Sequence, residues 1–252
     1  MTLNKHRNAV LALAAFAVMT MIGRTAEAQR STIRASFYGS AEIDTRHSQF
    51  YLLGMYVGMG GLGWHPYFNI NAYTLRYRLR PVATSPDRAL SAISPTIGLA
   101  YAGRRSGVSF GVGYAFVDKN EPGAVGAEGG GSSGVTASFG AHRTATGSRP
   151  LRTQFLSNYN IGSRYLWARG RASVPLGYST SHPARIGLEV VGQGGGKAGS
   201  KSNSFAVGPT LEYAWTPSFR TTGVIGYKSV GAPNVSRESA AYFKLEFSFS
   251  PR

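Results

Sequence analysis

A chain of 252 residues without cysteine has no thiol or disulfide chemistry to use, so its stability must come from backbone pairing and burial. Its 33 glycines come with 14 tyrosines and 13 phenylalanines, and only 15% of residues are charged; a disordered glycine-rich chain is excluded, because such chains lack aromatics. The formal net charge of +16 suits an anionic partner. The cations are spread along the chain instead of forming runs, and nucleic acid is not expected as a partner.

The first 28 residues have the layout of a cleavable secretory signal: Lys5, His6 and Arg7, an apolar run from Ala9 to Ile22, and small residues at Ala26 and Ala28. The run is too short to span a membrane as a helix. Residues 29–252 are then one domain, with 24 basic and 10 acidic residues, +14, once Lys5, Arg7, Arg24 and Glu27 are subtracted.

After the leader the pattern is that of strands. Twelve segments of roughly the ten-residue length of membrane barrel strands are bounded by Gly, Pro, Ser, Asn or Asp. They span 32–43, 49–60, 68–80, 91–103, 107–118, 134–144, 150–162, 164–177, 184–194, 204–215, 219–230 and 240–249. Alternate side chains of a strand point to opposite faces. Thus Val108, Phe110, Val112, Tyr114 and Phe116 oppose Ser109, Gly111, Gly113 and Ala115, and Phe243, Leu245, Phe247 and Phe249 oppose Tyr242, Lys244, Glu246 and Ser248. The third segment slips phase near Ala72 to Thr74, which predicts a bulge.

An even strand number places both ends of the barrel domain in the periplasm, with short turns at 103–106 and 216–218 and longer outward loops at 118–134, 195–203 and 230–239. Two connections fit poorly: Ile161 to Arg164 is tight for an outer loop, and Gly177 to Ala184 is long for an inner one. Aromatics at strand ends, Tyr67, Phe68, Tyr213, Trp215, Phe219 and Tyr242, suit the interfacial girdles of a bilayer. The expected fold is all-β: a closed antiparallel up-and-down transmembrane barrel of about twelve strands in the cell outer membrane, contacting outer-membrane lipid and inserted by the barrel-assembly machinery. A soluble periplasmic β-sheet binding protein is the alternative fold.

Catalytic material is sparse. Asp44, Asp87 and Asp118 are isolated near turns, and His47, His65 and His182 fall in expected loops. His142 and Thr144 share a strand face and resemble the His-x-Ser arrangement of barrel lipid A deacylases, with Thr in place of Ser and no acid to orient the histidine. No spacing gathers metal ligands, and the glycine clusters at 128–134 and 192–200 lack the following helix of a phosphate cradle and read as outward loops. The expectation is a chain that is not an enzyme and carries no cofactor or metal; a barrel enzyme acting on envelope lipid or glycan is the alternative.

The polar face is rich in arginine. Arg34, Arg76, Arg78, Arg152, Arg169, Arg171, Arg185, Arg220 and Lys228 are interspersed with Glu42, Glu189, Glu212 and Glu246. Each such charge on a lipid face would cost about 2–4 kcal/mol at mid-membrane, so these side chains are expected in the lumen. Arg76, Arg78, Arg152, Arg169, Arg171 and Arg185 are the candidate anion-binding residues, with Glu189, Glu212 and Glu246 as acidic partners; the face reads either as an anion-attracting pore or grip on an anionic polymer, or as a set of ion pairs that plug the barrel.

Four stretches, "FYLLGMYVGMGGLG", "TLRYRLR", "RYLWARGRASVPLGY" and above all "ARIGLEVVGQGGG", resemble the cellulose biosynthesis protein S family of small outer-membrane barrels. The resemblance touches about half of the mature chain and leaves 118–150 unmatched. It implies an accessory or pore role near exopolysaccharide export, with polysaccharide or secretion-system components as partners.

Overall fold

The structure is a computed structural model that describes residues 33–77, 88–119, 132–177, 184–196, 202–232 and 235–251. The leader read at 1–28 and Arg78 lie outside these. Twelve strands form: β1 (Ile33–Asp44), β2 (Gln49–Met59), β3 (Gly63–Tyr77), β4 (Arg88–Ala102), β5 (Ser106–Lys119), β6 (Gly134–Thr144), β7 (Arg152–Asn160), β8 (Tyr165–Pro175), β9 (Ala184–Gly195), β10 (Ser202–Ala214), β11 (Phe219–Ala232) and β12 (Val235–Phe249). Each pairs antiparallel with its sequence neighbours, and β12 pairs with β1 to close the barrel. Closure leaves no unpaired sheet edge, which is the condition for a sheet to survive in lipid.

Several boundaries differ from the sequence reading. β3 begins at Gly63, not at 68, and β12 at Val235, not at 240. The Trp64-His65-Pro66 and Val235–Ser239 stretches lack clean alternation in sequence, but the neighbouring strands supply pairing partners for them. The outward loop expected over 230–239 is therefore largely strand, with a register shift between Val230 and Ala232. Gly195, expected as the first residue of a loop, is the last of β9. The bulge expected near Ala72 is absent: β3 keeps one register from Gln49↔Arg76 to Gly58↔Tyr67 and from Gly63↔Ala102 to Tyr77↔Arg88. The apparent slip arises because the lumen accepts Tyr73 and Leu75, the latter buried against its register partner Leu90.

The outward face is apolar, with Ile97 68%, Ile225 67% and Phe116 58% exposed. Side chains that a soluble barrel would turn inward are thus presented to the surroundings, over an area far beyond the patches soluble monomers tolerate. At the end where β1 starts and β12 finishes, here the proximal end, Trp64 packs against Tyr101 (ring centroids 5.5 Å) and Tyr213 against Trp215 (4.7 Å). The Trp215 indole N–H donates to Thr221 Oγ1 at 2.9 Å, the amphipathic arrangement found at membrane interfaces. Tyr67 and Tyr242, expected in such girdles, are instead buried in the lumen.

Glycine makes room for these inner tyrosines. A Cβ on Gly54 would lie 2.3 Å from the Tyr38 ring, and one on Gly226 2.6 Å from the Tyr242 ring. The tyrosines therefore lie along the wall instead of projecting across the lumen. Pro95 and Pro209 lack an N–H, and the β4–β5 and β10–β11 ladders skip them.

All β1–β12 pairs run from Phe37↔Phe249 to Asp44↔Tyr242. Deleting Tyr242–Arg252 removes this whole seam and more than half of the β11–β12 pairing, so the truncated chain is expected to lose the heat-dependent gel mobility shift of a closed barrel. A truncated protein that still shifts on boiling would refute the role of this seam.

Candidate functional site: the charged lumen

The lumen parity of β7, β8, β9 and β12 carries Arg152, Arg169, Arg171, Arg185, Glu189, Lys244 and Glu246, and that of β10 carries Glu212. Arg76 has the opposite parity: it is exposed in phase with Phe68 and Ile70, at the distal end of β3. Its expected place in the lumen is thereby corrected. The continuous β3 register, without the bulge, puts it outside, and its position at the strand terminus spares it the cost of mid-membrane burial.

At the centre is Glu189, whose side chain is 0% exposed. Arg171 and Lys244 both donate to it in short contacts. Glu246 takes Arg169 Nη1 at 2.7 Å, Arg171 Nη2 at 2.7 Å and Lys244 Nζ at 3.2 Å. Five side chains from β8, β9 and β12 thus form one network in which three cations share two carboxylates. Each carboxylate has more than one donor, as a buried charge requires. Arg169 also reaches Gln154 Oε1 at 3.4 Å and stands 6.0 Å from the Trp167 ring, within cation–π range.

Two smaller groups flank this cluster. Toward the distal end, Lys228 pairs with Glu42 at 3.1 Å and Asp44 at 3.3 Å, and Arg46 with Asp44 at 3.4 Å and Glu238 at 3.6 Å. Toward the proximal end, Arg152 Nη1 contacts both Glu212 oxygens at 2.8 and 2.9 Å. Among the described residues, Arg185 bonds to neutral oxygens, Pro150 O at 2.7 Å, Ser173 O at 2.8 Å and Ser173 Oγ at 3.2 Å. Arg220, also of lumen parity, has no carboxylate within ion-pair distance among the described residues. Among the described side chains, the cations toward the distal end are matched by carboxylates, whereas Arg185 and Arg220 toward the proximal end have none within ion-pair distance.

Elsewhere on the wall, the lumen face of β4, β5 and β6 is lined by small residues, including Ala100, Ser109, Gly111, Gly113, Ser138 and Gly140. Tyr67 lies against this wall, where a Cβ on Gly111 would come within 2.3 Å of its hydroxyl. Tyr38 Oη lies within hydrogen-bond distance of Asn69 Oδ1 and Asn71 Oδ1, at 2.7 and 2.6 Å. His142 is on the same side over Gly107 and, among the described residues, is hydrogen-bonded to no carboxylate; Thr144 shares its parity.

Sequence reasoning missed Lys244 and Asp44 as members of the ion-pair networks. The signal for Lys244 was present, since it alternates with Phe243 and Leu245 in the closing strand. Asp44 reads as a turn residue and is one, accepting from the Arg46 and Ser48 amides at 2.9 and 3.0 Å, while its second oxygen serves Lys228.

No protein-family model matches the sequence, and no curated protein is significantly similar to it. Among solved structures, the COG4313 outer membrane channel from Pseudomonas putida F1 is similar with a TM-score of 0.56 at 9% identity, over 90% of this chain and 98% of that one. The β-domain of the Bordetella autotransporter BrkA has a TM-score of 0.51 at 11% identity, over 87% and 98%. LpxR from Salmonella typhimurium has 0.50 at 10% identity, over 85% and 99%. The chain has the fold of outer-membrane β-barrels. The narrower resemblance to cellulose biosynthesis protein S finds no support here. The expectation of a chain without enzymatic function is corrected by the same set, because LpxR, a lipid A deacylase, is built on this kind of barrel: the fold carries enzymes as well as channels.

Replacing Glu189 with Gln leaves Arg171 and Lys244 short of a counter-charge in a buried site. The expected cost is about 3–5 kcal/mol, seen as a lower urea midpoint of the lipid-embedded barrel. The double change Glu189→Gln with Lys244→Met should recover much of it; equal midpoints for all three proteins would mean that the network contributes nothing to stability.

Proposed function

We propose that this chain is an outer-membrane channel for small anionic solutes, inserted with its proximal end in the periplasm. The observation that carries the reading is the basic excess of the lumen: three cations to two carboxylates at the centre, then Arg185 and Arg220, which among the described residues have no ion-pair partner, toward the proximal mouth. Fixed charge on a low-dielectric wall focuses its field on a permeating ion, so an anion is attracted and a cation repelled. The apolar outer face and the aromatic layers at the strand ends support membrane insertion. The short connections at 60–62, 103–105 and 215–218 suit periplasmic turns and support this orientation, as does the even strand number, which returns the chain to its side of entry; 45–48 and 161–164 at the distal end are equally short.

A twelve-strand barrel is wider than those filled by side chains and narrower than those of porins with broad aqueous channels. Within it, the ion-paired wall of β8, β9 and β12 faces the small-residue wall of β4 to β6, and the path of a solute runs between them. An accessory role in exopolysaccharide export, implied by the resemblance in sequence, is the finer form of this reading. Cellulose is uncharged and gains nothing from a basic lumen, so the permeating species is the small anion and not that polymer.

In planar bilayers under a potassium chloride gradient, the wild-type reversal potential should have the sign of chloride preference. Arg169→Glu with Arg171→Glu reverses the central charge and should carry that potential toward cation preference. A channel that discriminates no better than bulk solution, before and after the change, would sink the proposal.

A further inference from the structure

One sector of the outward wall differs from the rest of the proximal rim. Where other sectors carry Trp64 with Tyr101, or Tyr213 with Trp215, the rim of β5 and β6 carries arginine. Arg105 closes the β4–β5 turn, and Arg143 stands on the outward face of β6 opposite Ser106. The Thr144 amide donates to Arg105 O at 2.7 Å, which ties the two arginine-bearing segments together. Between them lies a cleft of about 460 Å3 lined by Arg105, Ser106, Arg143, Thr144, Ala145 and Thr146. Both arginines are exposed, and among the described residues neither is paired with a carboxylate.

What rises from the cleft is apolar. The next outward pair along β5 and β6 is Val108 with Ala141, and the next Phe110 with Phe139. The Phe110 and Phe139 rings are 5.1 Å apart, and Phe139 and Phe155 5.9 Å. Strands rise about 3.4 Å per residue, so the aromatic layer begins roughly 13 Å along the strand from Ser106. The sequence of surfaces is cation and hydroxyl at the rim, then a shallow strip of small side chains, then a phenylalanine ridge. A phospholipid has the same order of parts: phosphate, glycerol ester, acyl chain.

We propose that this sector is a binding site for a phospholipid with an anionic headgroup, taken from the periplasmic leaflet, with phosphate in the Arg105–Arg143 cleft and an acyl chain along Phe110, Phe139 and Phe155. The inference rests on membrane insertion in the orientation given above, but not on ion conduction. An anionic lipid gains over a zwitterionic one because its net charge is left unbalanced within the headgroup, and guanidinium groups bind phosphate through paired N–H donors.

The test is native mass spectrometry of the full-length protein in detergent, titrated with phosphatidylglycerol or phosphatidylethanolamine. Wild type should retain phosphatidylglycerol preferentially. Arg105→Gln with Arg143→Gln should weaken its retention by about ten-fold, in line with two surface cations near a lipid phosphate. Arg105→Lys with Arg143→Lys should keep most of it, and Phe110→Ala with Phe139→Ala should weaken both lipids. Arg76→Gln, outward but at the distal end, should change nothing.

Equal retention of the two lipids by wild type would overturn the proposal, as would preference unchanged in the double glutamine variant. Displacement of the lipid by inorganic phosphate at matched concentration would do the same, since the cleft would then be a site for soluble phosphate. The heat-dependent mobility shift, measured on every protein, reports barrel integrity. Its absence in wild type would mark failure of the membrane reading, whereas its presence with no lipid preference would mark failure of this site alone.

Discussion

Closure of the sheet by β12 against β1 is the constraint on which everything else in this molecule depends. A strand alone has two faces; a closed barrel turns those faces into an inside and an outside for every strand at once. Once the seam is made, all side chains of one parity share a single lumen. Residues distant in sequence, such as Arg171 and Glu246, become neighbours across it. The apolar parity has nowhere to go but outward, and hydrocarbon is the solvent that suits it.

The lumen then has its own problem, because its charges are partly withdrawn from water and still have to be compensated. The network around Glu189 is the answer on one side: β8 brings two cations, β9 one carboxylate and β12 one of each, so that both carboxylates meet cations from more than one strand. On the other side, bulky residues are accommodated by subtraction. Gly54, Gly98, Gly111 and Gly226 have no Cβ to meet the rings of Tyr38, Tyr67 and Tyr242, so bulky residues occupy wall area instead of cross-section. Charge on one wall and small residues on the other leave a lumen whose electrostatic character is set by the basic side chains that lack a carboxylate.

Similarity of fold to an outer-membrane channel and to LpxR alike shows how little the barrel itself says about chemistry. Function depends on what the lumen, rims and lipid face contain. Here the lumen holds a basic excess, and the rim at β5 and β6 holds two arginines above a phenylalanine ridge. These are separate features, on opposite sides of the same wall, and they make separate demands on the sequence: the first on the inward parity, the second on the outward one.

Alternation in single strands was enough to fix the fold class, the strand count and the inward parity of Arg152, Arg169, Arg171, Arg185, Glu189, Glu212 and Glu246, because period two is a local property of the backbone. Parity failed at Arg76, where inward Tyr73 and Leu75 mimic a phase slip, and strand limits failed at β3 and β12, where pairing with neighbours extends segments that have weak patterns of their own. Tyr67 and Tyr242 were misplaced in the girdles because the glycines that accommodate them lie on other strands. Which cation meets which carboxylate was beyond the sequence for the same reason. Ion pairs between β8 and β12, or between β1 and β11, depend on the stagger of the closed sheet and the curvature of the barrel, and these exist only when all twelve strands are in register.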